Sequence, residues 1–193
     1  MTNPVWAPAL WTPNVWPDFP PEPPEPESLP PPPGIQYNPW EPAVFQHADW
    51  TCSCASSAWL LNSIGDTQLG HNWGEWDVVT RLRDVTYQGA VSPNYGLARA
   101  DMKDLETMFN SLGYSVDRKR PMVRDDVVAI AGRYPLQING ARWYHHSGAR
   151  AVGNGMLALA NPAPNWKGVG QEMTPAEAGL WGTWGGMWIV GRI

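Results

Sequence analysis

The sequence is short of what holds disulfide-rich folds together and of what binds polyanions. Cys52 and Cys54 are its only cysteines in 193 residues, so no disulfide framework can be built and folding does not depend on an oxidising compartment. Charged residues are scarce and unevenly placed: no lysine or arginine precedes Arg81, and the net charge is −5. That balance excludes the electrostatic footprint of a nucleic-acid-binding chain. No run reaches the ~18–20 apolar residues of a membrane helix. The C-terminal LWGTWGGMWIVG is short and interrupted by glycine, and reads as a loop and a strand. The opening MTNPVWAPALW has no basic n-region and is broken by prolines where an apolar h-region would run. The expectation is a soluble chain with no signal peptide, no membrane insertion and no nucleic-acid partner.

What is abundant is proline (21), glycine (19) and tryptophan (13). Residues 1–43 hold most of the prolines, including 20-PPEPPEPESLPPPP-33, and cannot form a packed core. Polyproline II is the natural geometry of such a stretch. A small motif recurs in it loosely, as 3-NPVWAP-8, 13-PNVWP-17 and 38-NPWEP-42. A spacer does not need tryptophans, which expose large apolar area to water. Two readings stay open: a disordered spacer, or an arm that docks its Trp–Pro units on its own domain or on a protein partner.

From residue 44 to 193 the pattern is that of a domain. A helix is expected from Cys52 to Ile64, stopped by Gly65. A short helix from Glu75 to Arg83 would place Trp76, Val79 and Leu82 on one face. Residues 98–112 set Met102, Leu105, Met108, Phe109 and Leu112 at helical spacing, closed by Gly113. Asp125 can cap a further short helix that ends at Gly132. Strands are expected at Tyr114–Val116, Leu136–Ile138, His145–Val152, Met156–Ala160 and Trp188–Val190, with Gly153-Asn154-Gly155 as a hairpin turn. Helices first and an antiparallel sheet after is an α+β order. Trp50, Trp59, Trp76 and Trp143 are expected in the core.

The chemistry sits in 46-QHADWTCSCASSAWLLNSIG-65. A thiol at a helix N-terminus meets unpaired N–H groups and the positive end of the dipole, which favour the thiolate and lower its pKa. Attack on a carbonyl also needs a base, a group to orient the base, and donors for the oxyanion. The tandem His145-His146 opens one expected strand and Asn161 closes the next, so a hairpin brings those ends side by side. Asn161 can accept from one imidazole nitrogen, and Gln46 can present its amide to the oxyanion.

This order resembles the papain-like cysteine peptidases, and most of all the branch containing the double-glycine leader peptidases of bacteriocin exporters. That branch has a helix reading roughly Cys-Gly-Pro-Ala-Ala-Leu-Ala-Met and ending in Gly. Here 52-CSCASSAWLLNSIG-65 fits the frame, with Gln46 six residues ahead of Cys52. The stretches 143-WYHHSGARAVG-153, 157-LALANP-162 and 173-MTPAEAGLWGTWGGMWIVG-191 stand for the later strands. The resemblance implies a papain-like fold over residues 44–193, a peptide or peptide-like substrate, cell-wall peptides included, and no cofactor. It implies Cys52 as nucleophile, His145 as base, Asn161 as its orienter and Gln46 at the oxyanion. Hydrolysis and acyl transfer are not separated by sequence. Three positions depart from the pattern: Cys54 at a small or proline position, Asn161 for the commoner Asp, and Gly148 with Arg150 in a strand where apolar residues are usual.

Other readings stand beside this one. Cys54 is the alternative nucleophile and His146 the alternative base, although adjacent strand residues face opposite ways and only one of the pair can meet the thiol. Both cysteines can be inert buried thiols. A Cys-x-Cys plus His-His zinc site departs from the spacing of closed structural sites. A non-catalytic assembly protein reusing the fold, with the Trp–Pro arm as its docking segment, is the competing class.

Overall fold

The computed structural model describes residues 35–38, 41–47, 51–87, 102–140, 145–151, 157–163, 172–173 and 184–193. Its helices are α1 (Cys52–Ser63), α2 (Glu75–Leu82, continued by a π-helical segment, Arg83–Tyr87), α3 (Met102–Ser111) and α4 (Arg124–Ala131). The strands are β1 (Tyr114–Met122), β2 (Leu136–Gly140), β3 (His145–Ala151), β4 (Leu157–Ala160), β5 (Glu172–Met173) and β6 (Trp184–Arg192). They form one sheet in the order β1-β6-β2-β3-β4-β5, with every neighbouring pair antiparallel. The fold is α+β, with α1, α2 and α3 on one face of the sheet and α4 on the other.

Alternation along the strands separates the two faces, because successive strand side chains point opposite ways. Leu136, Ile138, Ala149, Leu157 and Leu159 meet Met122 and the α4 residues Val127 and Ala131 in one cluster. The residues between them turn to the other side, where Tyr114, Ala160, Met187 and Ile189 pack against α1, α2 and α3. In α3 the expected apolar stripe holds: Leu105, Met108 and Phe109 are fully buried and Leu112 nearly so. Gly113, at φ +83°, ends the helix in a conformation that favours glycine.

α1 is not amphipathic, and its position explains why. Eleven of its twelve residues are buried, so it lies between the sheet and α2 rather than on the surface. Trp59 sits opposite Gly148 on β3: a Cβ at that glycine would lie 2.3 Å from the indole ring. The glycine that looked out of place in an apolar strand is the space that Trp59 occupies. The Trp59 indole N–H donates to the Glu41 carbonyl at 2.9 Å, and Asn38 N–H donates to the Ser63 carbonyl at 2.6 Å. With Ile35 buried in the same cluster, Ile35, Asn38 and Glu41 are fastened along α1.

Several expectations change. Trp76 is 52 % exposed, because α2 turns Glu75, Val78 and Leu82 inward instead. The first turn of α4 is closed by Asp126, which accepts from the Val123 N–H at 3.2 Å, and not by Asp125. β1 runs on to Met122 through the charged stretch Asp117–Arg120, since β6 pairs with it over that length; charge on an edge strand is a normal guard against further pairing. β5 was not expected. Residues 1–34, Trp50, Trp143, Trp181 and the Gly153–Gly155 turn lie outside the described residues.

Candidate active site

Cys52 is the first residue of α1, where the N–H groups have no intrahelical acceptor. The backbone N–H groups of His146, Ser53 and Cys52 itself lie near its sulfur and favour the thiolate. The His146 donor belongs to β3, so the contact places the thiol against the start of that strand. The side chain is 2 % exposed, and burial, the strongest influence, pushes its pKa above the ordinary value; the three N–H groups offset only part of this. The lowered pKa expected from the helix terminus alone is therefore corrected. Cys54, two residues on, is rotated about 200° around the helix. It is buried in the apolar cluster beneath α2, and burial pushes its thiol far up.

The two histidines divide as strand geometry requires. His145 Nε2 lies 2.8 Å from Asn161 Oδ1. The same oxygen accepts the backbone N–H of Ala163 at 3.0 Å. A backbone N–H can only donate, so the amide orientation is settled and His145 must donate from Nε2. In the neutral ring Nδ1 is then the basic nitrogen. Burial lowers the pKa of His145, and the bond to Asn161 raises it part of the way back.

His146 faces the underside of α1. Its Nδ1 accepts from Gln137 Nε2 at 3.0 Å; Gln137 also donates to the Ser53 carbonyl at 3.1 Å and accepts from Ser57 Oγ at 3.0 Å. Full burial, with the neighbouring His145 charge a lesser cause, lowers the His146 pKa to about 3, so the ring is neutral. This network ties α1 to β2 and β3 directly beneath Cys52. Gln137 was missed in the sequence; the readable signal was a lone polar residue in the run LQI.

Gln46 donates its backbone N–H to the Pro162 carbonyl at 2.9 Å, which sets it beside the residue that follows Asn161. The next residue is His47. Its ring is exposed, but its backbone N–H and Nδ1 reach Oε2 of Glu75 at 2.8 and 2.5 Å. Glu75 is buried at the start of α2 and pins this segment. Its role was invisible in sequence, where it reads only as an acid in a first helical turn. Among the described residues no three His, Cys, Asp or Glu side chains converge as metal ligands; the two imidazoles turn to Asn161 and to Gln137. No described helix is long and apolar enough to cross a membrane.

No protein-family model matches the chain, and no curated protein matches it in sequence. Solved structures do. The peptidase domain of Streptococcus ComA, a bi-functional ABC transporter involved in a quorum-sensing pathway, is 16 % identical, with a TM-score of 0.52 over 79 % of this chain and 99 % of that domain. A double-glycine-motif protease from an AMS/PCAT transporter, solved in complex with a leader peptide, is 14 % identical, with a TM-score of 0.53 over 77 % of this chain and 90 % of that one. At such identities the likeness carries the fold alone. A helix opened by Cys52, seated on an antiparallel sheet whose adjacent strand ends bear His145 and Asn161, is accordingly built on the papain-like peptidase fold.

Proposed function

We propose that the protein is a cysteine-dependent peptidase or related amide hydrolase, with Cys52, His145 and Asn161 as its triad and Gln46 at the oxyanion. The observation that carries this reading is the 2.8 Å bond from His145 Nε2 to Asn161 Oδ1, made beside a thiol whose sulfur is held by the backbone N–H of the next residue, His146. A peptide is the substrate class, as a leader peptide is bound in one of the structures of this fold.

The resting site holds a neutral thiol and a neutral imidazole, because burial raises one pKa and lowers the other. His145 Nδ1 then acts as general base. It takes the thiol proton as the sulfur attacks the carbonyl carbon, and returns it to the departing amine. The Cys52 N–H and the Gln46 amide donate to the oxyanion. Water, deprotonated by the same nitrogen, releases the acid and restores the thiol.

Peptide hydrolysis and alkylation by iodoacetamide test this together. Cys52→Ala abolishes cleavage and Cys54→Ala retains it. His145→Ala lowers kcat by about 10²–10⁴-fold, the usual worth of a general base. The acid limb of kcat/KM falls below pH 6.5, and Asn161→Ala moves it further down, since the lost bond favoured the imidazolium. In the free protein Cys52 alkylates mainly on the alkaline side of the ordinary thiol range. Cleavage that survives Cys52→Ala, or none at all across a broad peptide panel, overturns the proposal.

A further inference from the structure

Outside the triad, where β1, β6 and β2 run side by side, lies a cavity of about 280 Å³ lined by Met102, Arg118, Lys119, Arg120, Asn139 and two glycines of β6, Gly185 and Gly186. Its place follows from the register. Gly185 pairs with Asn139, and Asn139 with His146, in one transverse row. Paired residues project to the same face. The row starts at the residue whose N–H meets the Cys52 sulfur. Strands stand ~4.8 Å apart, so Asn139 and Gly185 lie roughly 5 and 10 Å from that position, two or three residues along an extended peptide.

The lining has a defined chemistry. Arg118 is paired with Glu106 of α3 at 3.1 Å, and Lys119 with Asp126 of α4 at 2.8 Å. Arg120 makes no ion pair among the described residues, and its Cγ and Cδ run over Gly185. Asn139 Oδ1 is buried with no hydrogen-bond partner among the described residues. Among the described residues, a cation outside any ion pair, an acceptor without a donor and an apolar wall from Met102 suit an amino-acid residue with a carboxylate: the carboxylate to Arg120, its backbone N–H to Asn139, its methylenes against Met102. The room exists because position 185 has no side chain. A Cβ there would meet only the Arg120 stem, at 3.7 and 3.8 Å.

We infer that this cavity is a specificity subsite for a carboxylate-bearing residue of the peptide substrate, which rests on the peptidase reading above. The carboxylate is that of an acidic side chain or of the peptide's own C-terminus.

The experiment is a positional scan of otherwise identical peptides bearing Glu or Gln, each with a free or amidated C-terminus. Cleavage is measured with the intact enzyme, and dissociation constants with Cys52→Ala. Glu at one position is expected to raise kcat/KM and affinity about tenfold or more over Gln, as a charge-assisted bond warrants. If the terminal carboxylate is the ligand, the preference follows free acid over amide instead. Arg120→Gln and Gly185→Leu collapse that ratio toward one, and Arg120→Lys keeps part of it; melting curves and Gly185→Ala control for folding. A ratio near one in the unaltered protein, or one that survives Arg120→Gln, overturns the inference even if cleavage is robust. An Arg120-dependent Glu or free-acid preference in binding without cleavage upholds the subsite and removes the peptidase reading.

Discussion

Gly148 shows how much can turn on one hydrogen atom. Strand interiors disfavour glycine, yet a Cβ at this position would sit 2.3, 2.5 and 2.8 Å from three carbons of the Trp59 ring. These are ring atoms of a fully buried side chain, with no flexible end to give way. Gly148→Ala should therefore destabilise the fold by about 1–3 kcal/mol, the usual range for overpacking, seen as a lower urea midpoint at an unchanged slope. Combining it with Trp59→Leu should recover part of the loss, because the two changes couple through one volume. Independent, additive losses would mean that Gly148 serves the strand rather than the indole. At this scale the sequence was legible wherever a rule concerns neighbours along the chain. The alternation of His145 and His146 is an example. The partnership of residues 59 and 148 was not, since nothing local connects them.

Between elements, the joint of α1 to β2 and β3 is polar as well as apolar. Ser57, Gln137, His146 and the Ser53 carbonyl form a closed buried network, and each bond leaves a buried group satisfied that would otherwise be costly. It also makes stability depend on pH. His146 titrates near 3 in the folded chain and near 6.5 when unfolded. Between those values the unfolded chain holds a proton that the folded chain does not. Stability is therefore full above about pH 6.5 and falls as the pH drops toward 3, by roughly 1.4 kcal/mol per unit for this one group. The lowered pKa of His145 acts in the same direction. Urea unfolding at a series of pH values should show this slope, and His146→Gln should flatten it. An unchanged slope in that variant would place the acid sensitivity elsewhere.

For the whole molecule, the question is where the packed body begins. The compositional break lies at residue 43/44, where proline gives way to a domain pattern. Packing reaches further back. Ile35 is buried with α1, Asn38 holds the Ser63 carbonyl, and the Glu41 carbonyl takes the Trp59 indole N–H. A chain starting at Gly34 should keep these contacts, and one starting at Val44 should lose them. The difference expected is about 2–4 kcal/mol, from one buried isoleucine and two hydrogen bonds, read as a lower melting temperature of the shorter chain. Equal stability would return residues 35–43 to the role of a tether.

The sequence by itself determined the α+β order, the helix opened by Cys52 and the spacing that sets Asn161 beside His145 once a hairpin forms. Each of these depends on local periodicity, turn residues and strand alternation. Tertiary structure alone decided the rest. Burial depends on what covers a residue, so only the fold could raise the Cys52 pKa against the helix dipole, turn Trp76 outward and hide Glu75. Only pairing across β6, β2 and β3 could set Gly185 and Asn139 in the same row as His146, opening a cavity beside Arg120, which lies nineteen residues from the nearest of them along the chain.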